Sequence, residues 1–372
     1  MKNKYNIKMA GPWITNLEKK IVNKMMSKDW DNYDFVEKFE SKFAKWHNRK
    51  YCLMTTCCTH AIHLILLSLN VKKDDEIIIP EITWTGSSAP ITYCQSKPVF
   101  ADVTKKDWCL DPISVENNIN KKTKAIICVN IYGNMPQMKE LMAISKKYNI
   151  PLIEDAAEAL GSKYNNIKAG KFGLASVHSF HRTKTICTGE GGCLLTDNKK
   201  LYDRAKFLRD HGRSNKIPYY TLEATPKYMP NNLQASLALA QFKRINSLVN
   251  RKRYIFKKYK KLLSNNKHLQ FNIDNKNIFN GAWATSIIFG KEYKLKKKMI
   301  IKKLSELHIP VRPFFYPLSS LPAYSFYKTG NKFKNPTAYD LSQRGITLPS
   351  HYLLTDFQIK KICDAINKIL KK

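Results

Sequence analysis

The chain has 372 residues, 43% of them hydrophobic, and 64 Lys and Arg against 29 Asp and Glu give it a formal net charge of +35. That length allows one large domain and a smaller one, each with its own core, while no apolar run approaches the roughly 20 residues that a membrane-spanning helix needs. The charge alone would suit a nucleic-acid binder, but the lysines are spread along the whole chain without a basic aromatic-rich block, so solvated helix faces and no specific nucleic-acid partner are expected.

Two smaller features agree on compartment. Met1 to Met9 is charged and lacks the apolar stretch of a secretory signal. The nine cysteines (52, 57, 58, 94, 109, 128, 187, 193 and 363) are scattered and form no C-x-x-C pair, so no metal site or redox motif is expected. Reduced thiols in a cytoplasmic protein are the expectation.

Thr15 with Glu18 forms a capping-box pattern, and Leu17, Ile21 and Met25 recur at helical spacing, which predicts the first helix. Phe35, Phe39, Phe43 and Trp46 mark a second helix, and a third runs from about Thr59 to Leu69. Glu76 to Ile79, Pro98 to Val103, Ala125 to Ile131 and Pro151 to Glu154 read as short buried strands, with a helix from Met138 to Tyr148 between the last two. Strands separated by helices predict an α/β fold whose mostly parallel sheet is covered on both faces.

Two more strand-like runs, Ala175 to Phe180 and Gly192 to Thr196, flank a loop containing Gly189, Gly191 and Gly192. A helix around Leu233 to Val249 is followed by a change of character, with Arg251 to Lys267 rich in Lys, Tyr and Asn, and by a strand near Ala284 to Phe289. Thr355 and Gln358 open a last helix, buried along Ile359, Ile362, Ile366 and Ile369. The domain boundary is expected near residue 248, with 1–248 as the large domain and 249–372 as the small one.

Three places could carry chemistry. Asp155 follows the apolar run Pro151-Leu152-Ile153 and so sits at the carboxyl end of a buried strand, where open α/β sheets place their sites; a plain helix N-cap is the competing reading. Lys184 stands between Ser179-Phe180 and the run Gly189-Glu190-Gly191-Gly192, where it could be a Schiff-base nucleophile or one more surface lysine. Cys57-Cys58-Thr59 opens a helix, whose N-terminal N–H groups suit a phosphate or merely need a cap.

In this order the residues resemble the DegT/DnrJ/StrS sugar aminotransferases, which have the fold type I architecture built around pyridoxal 5'-phosphate (PLP). The likeness runs from Gly11-Pro12-Trp13-Ile14-Thr15 to Leu348-Pro349-Ser350, and its most specific parts are Glu154-Asp155-Ala156-Ala157-Glu158-Ala159 and Ser179-Phe180-(x3)-Lys184-(x4)-Gly189-Glu190-Gly191-Gly192. The resemblance implies that Lys184 is the Schiff-base lysine and proton shuttle, and that Asp155 keeps the pyridine nitrogen protonated. It implies that Trp84 stacks on the cofactor ring, and that Cys58, Thr59 and Ser179 cradle the phosphate.

Glu158 falls where many members have Gln or His, facing the cofactor's phenolic oxygen, which a charged carboxylate would repel. Lys227 aligns with a family Asn that reaches the phosphate of the neighbouring subunit, so a homodimer with shared sites is expected. Arg312 and Tyr316, in Arg312-Pro313-Phe314-Phe315-Tyr316-Pro317-Leu318, are expected near the substrate, and Arg209-Asp210-His211-Gly212-Arg213 is a second candidate segment.

The implied reaction moves an amino group from L-glutamate to C4 of a nucleotide-linked 4-keto-6-deoxyhexose. The Lys, Asn and Ile bias is similar to that of large DNA viruses, where viosamine-type sugars are made. On that ground dTDP-4-keto-6-deoxy-D-glucose, giving dTDP-viosamine, is the expected acceptor, and host cytoplasm the expected compartment. The alternative is GDP-4-keto-6-deoxy-D-mannose, giving GDP-perosamine, which the Arg312–Leu318 stretch resembles. Sugar 3-dehydratases of the same fold carry His where this chain has Lys184. A basic nucleic-acid-binding or regulatory protein that kept the fold without catalysis is the rival from another class.

Overall fold

The computed structural model describes residues 7–370, so most of the charged Met1 to Met9 stretch lies outside the described residues. Seven strands form the central sheet: β1 (Tyr51–Thr55), β2 (Glu76–Pro80), β3 (Lys97–Ala101), β4 (Thr123–Val129), β5 (Leu152–Asp155), β8 (Ala175–Ser179) and β9 (Gly192–Thr196). Their order is β1-β9-β8-β5-β4-β2-β3, and β9 alone runs against its neighbours. The α/β class and the mostly parallel sheet are as expected.

The strands read as apolar runs because both faces are covered. Alternate residues point to opposite faces. Leu53, Ile77, Ile79, Ile127, Ile153 and Val177 pack with helices α3 (Cys58–Ser68), α4 (Thr85–Tyr93) and α7 (Lys199–Leu208). On the opposite face, Cys52, Met54 and Leu195 meet α1 (Asn16–Lys28), α2 (Asp34–Trp46) and α8 (Asn232–Phe242). Further along that face, Ile78, Ile126 and Cys128 meet α5 (Pro112–Asn118) and α6 (Met138–Tyr148).

The Thr15–Glu18 capping box is present in both directions. So is the Thr355–Gln358 pair that opens the last helix, α12 (Asp356–Leu370). The expected helix from Leu233 to Val249 is instead two. Helix α8 stops at Phe242, and α9 (Ile245–Leu262) starts again after Arg244. Residue 248, the expected boundary, therefore falls inside α9. The Lys/Tyr-rich stretch after Arg251 continues that helix, because Lys252, Ile255, Phe256 and Tyr259 recur on one buried face.

A second sheet, all antiparallel, has the order β10 (Leu269–Phe271), β12 (Ser286–Phe289), β14 (Gly345–Thr347), β13 (Arg312–Pro313). It packs with α9, α10 (Lys297–Glu306) and α12, and α11 (Pro336–Arg344) leads into β14. A small ribbon of β6 (Lys163–Tyr164), β7 (Ile167–Lys168) and β11 (Ile278–Phe279) bridges the two parts. No helix among the described residues is long and apolar enough to cross a membrane.

Two buried imidazoles, His47 and His178, lie with ring centroids 4.5 Å apart beneath Phe43. Burial pushes His178 down to about 3 and His47 well below the ordinary histidine range. Both are neutral in the fold and take a proton only on unfolding below a pH of about 6.5. Each therefore removes stability as pH falls below that point, until its own folded value is reached. Buried acids such as Asp107, raised to about 6 by burial, act in the opposite sense. Replacing His178 with Gln should make the drop in melting temperature between pH 7 and pH 5 smaller than in the parent. An unchanged drop would mean that His178 is not a source of acid lability.

Candidate active site

The carboxyl ends of the parallel strands converge on one cavity of about 500 Å³, at the edge where open α/β sheets place their sites. Strand β5 ends in Asp155 and β8 in Ser179. The end of β1 leads into the first turn of α3, and β2 leads through Glu81-Ile82-Thr83 to Trp84. Cys58, Thr59, Trp84, Asp155, Glu158, Ser179, Lys184, Arg312 and Tyr316 all line this cavity.

No helix follows Asp155, so the N-cap reading fails there. Its buried carboxylate instead accepts Ser87 Oγ at 2.7 Å and the Ala157 N–H at 3.0 Å. Burial raises its pKa against those two bonds and the more distant charge of Lys184. It forms no ion pair among the described residues, so it is a buried acceptor still suited to a cationic N–H.

The N-cap of α3 is Cys57, and its side chain makes no cap hydrogen bond. The first-turn N–H groups of a helix without a cap are an anion site, and here Cys58 and Thr59 border the cavity. Strand β9 passes so close that a Cβ on Gly192 would stand 2.4 Å from the Cys58 nitrogen, which is why glycine begins that strand.

Lys184 closes a turn after β8, its N–H donating to His181 O at 2.8 Å. Its Nζ lies 3.1 Å from Glu158 Oε1 and 4.0 Å from the ring centroid of Trp283. The second Glu158 oxygen accepts the Tyr132 N–H at 2.9 Å, and Tyr132 holds a left-handed φ of 52° to present it. Trp283 is fixed by its indole N–H, which donates to Thr183 O at 2.7 Å.

Trp84 is 61% exposed on the open side of the cavity, 6.1 Å from Phe315. Arg312 comes from β13 and Tyr316 from the loop after it, so the second sheet supplies one wall. Lys297 Nζ sits 3.6 Å from the centroid of the Tyr316 ring, and burial draws its pKa down to about 8.

Two other candidates lie away from this cavity. Arg209 is buried against Glu40 and Met54 O, at 2.8 and 2.7 Å, and it holds the core together instead of lining the cavity. Lys227 also lies outside its own chain's cavity, paired with Asp210. Ser87, Tyr132, Trp283 and Lys297 escape the sequence reading, because only folding brings them to Asp155, Glu158, Lys184 and Tyr316.

Taken together, these groups fit a planar, phosphorylated pyridine aldehyde. Asp155 offers a buried carboxylate for a ring N–H, α3 offers N–H groups for a phosphate, Trp84 offers an aromatic face, and Lys184 offers an amine. When bound, PLP supplies an electron sink for amino-group transfer.

Residues 13–367 match the DegT/DnrJ/EryC1/StrS aminotransferase family. The GDP-perosamine synthase of Escherichia coli O157:H7 is 35% identical, with 96% of each chain covered. That of Vibrio cholerae is 32% identical over 95% of this chain and 96% of its own. Among solved structures, a Streptococcus pneumoniae protein assigned as a sugar aminotransferase, in its PLP form, superposes with a TM-score of 0.92 at 25% identity, covering 99% of both chains. Helicobacter pylori PseC, an aminotransferase of pseudoaminic acid biosynthesis, shares the fold with a TM-score of 0.91 at 24% identity, covering 98% of this chain and 99% of its own. With the family matched over nearly its whole length and a cavity that fits the cofactor, the chain belongs to the DegT/DnrJ/EryC1/StrS family and is a PLP-dependent sugar aminotransferase.

Proposed function

We propose that this enzyme moves an amino group from L-glutamate to C4 of GDP-4-keto-6-deoxy-D-mannose, giving GDP-perosamine. The observation that carries the choice is that GDP-perosamine synthases from three bacteria, at 29–35% identity, align with at least 95% of the chain. They weigh against the dTDP-linked acceptor expected from composition and favour its alternative. With both substrates in hand, kcat/KM for the GDP-linked keto sugar should exceed that for dTDP-4-keto-6-deoxy-D-glucose by at least about tenfold, the scale of one modest binding contact. A preference for the dTDP sugar would overturn the proposal.

Each residue has one task in this reading. Lys184 Nζ carries a proton between the reacting carbon and the cofactor, and Asp155 keeps the pyridine nitrogen protonated. The N–H groups of Cys58 and Thr59, with Ser179, hold the phosphate, and Trp84 lies against the ring. Arg312 and Tyr316 meet the sugar nucleotide at the mouth of the cavity. Lys184→Ala should abolish turnover and the absorbance band that depends on the lysine's bond to the cofactor, while leaving PLP binding and the far-UV dichroism largely intact. Asp155→Asn should fold and lose at least about 10²-fold in kcat, the scale seen when one preorganised electrostatic group is removed. Turnover near the parent's in either variant would reassign that role.

The active unit in this reading is a homodimer in the cytoplasm. Lys227 stands outside its own cavity, and Ile217, Tyr219, Tyr220 and Leu222 expose apolar surface on the loop before it. Nine free thiols suit a reducing compartment. Light scattering at low micromolar concentration should give twice the 43.1 kDa chain mass. An active monomer would refute shared sites.

A further inference from the structure

The contact least explained by amino-group transfer alone is the pair formed by buried Glu158 and half-buried Lys184. Glu158 is 6% exposed and the Lys184 side chain 13%, with 3.1 Å between Oε1 and Nζ. The carboxylate cannot swing away, because its other oxygen holds the Tyr132 N–H and Tyr132 Oη accepts the Phe315 N–H at 3.1 Å. On its other side Nζ meets the Trp283 face at 4.0 Å. The amine is thus held between a fixed carboxylate and a fixed indole.

We propose that Glu158 is the positioning residue and proton acceptor of Lys184. Whenever the lysine is not joined to the cofactor, Glu158 holds its ammonium. When the amine must act, one proton passes from Nζ to Oε1, so that –NH3⁺ and –COO⁻ become –NH2 and –COOH. The pair carries no net charge before or after the transfer. That matters in a buried site, where an unpaired ammonium or carboxylate is strongly disfavoured. A protonated Glu158 also stops repelling an anionic oxygen placed beside it. This inference rests on Lys184 being the lysine that joins PLP.

The test is the reactivity of Lys184 in the full chain freed of PLP, read by peptide mass spectrometry after limited labelling with an amine-directed reagent. Glu158→Gln and Glu158→His are both neutral at pH 7.5, and both offer an acceptor to the Tyr132 N–H, so either suffices. Lys184 should label at least fivefold faster in them than in the parent. Glu158→Asp, which keeps the charge, should label closer to the parent's rate. Equal rates across pH in parent and neutral variants would overturn the proposal. Adding PLP should protect Lys184 in the parent. Loss of that protection would instead overturn the assignment of the lysine on which the proposal rests.

Discussion

A carboxylate only 3% exposed at the end of β5 is the constraint around which the site is arranged. Burying a lone charge is costly unless partners compensate it, and among the described residues Asp155 has two neutral donors, Ser87 Oγ and the Ala157 N–H. Burial alone raises its pKa, and Lys184 offsets this only at a distance. A cationic ring N–H would complete the set, so the strand end is stable as a binding element chiefly when something cationic occupies it. The neighbouring positions follow from the same geometry. Parallel strands end together, so β1, β2 and β8 bring the α3 N-terminus, Trp84 and Ser179 to the same edge.

The large charge belongs to a different layer of the molecule. Many lysines lie on helix faces, and several are paired one turn away, as in Lys38–Asp34, Lys199–Asp203 and Lys360–Asp364. Exposed pairs of this kind contribute little each. Three lysines turned inward differ. Lys252 donates to Ser350 O over the Tyr352 ring, Lys297 caps Tyr316, and Lys184 meets Glu158. Composition could not separate these three from the solvated majority, since only packing tells them apart.

How much was legible in the sequence follows from the range of the forces involved. Capping at Thr15 and Thr355 is local, and the buried strands announce themselves as apolar runs, so both could be read directly. Helix α4 was missed because Pro90 sits inside it, and α5 because its seven residues are too few to show a period. The helix beyond Arg251 was hidden by a polar composition whose buried positions include a lysine, Lys252. At the site, Lys184 and Asp155 were legible through the order of their motifs. Trp283 was not, because its contact with Lys184 spans 99 residues of chain and it stands in a run that reads as ordinary core.

One short segment couples the strand-end side of the cavity to the wall supplied by the second sheet. Glu81, fully buried, accepts the Ser319 N–H at 2.8 Å and Asn335 Nδ2, and burial raises its pKa against those bonds. Glu81 O accepts the Leu318 N–H at 2.8 Å, and Ile82 pairs with Pro317. Tyr316 is the next residue back. Going forward from Glu81, Trp84 faces the cavity and Ser87 reaches Asp155. The chain after β2 therefore fixes the Asp155 partner, the aromatic face and the wall that carries Tyr316 in one piece. Because the wall that carries Arg312 and Tyr316 comes from the second sheet, its distance from Lys184 depends on this junction as much as on β13 itself. Catalysis that depends on near-contact geometry is sensitive to shifts of about 1 Å. A buried carboxylate with one backbone and one side-chain partner is a stiffer joint than apolar contact alone, since it fixes direction as well as separation.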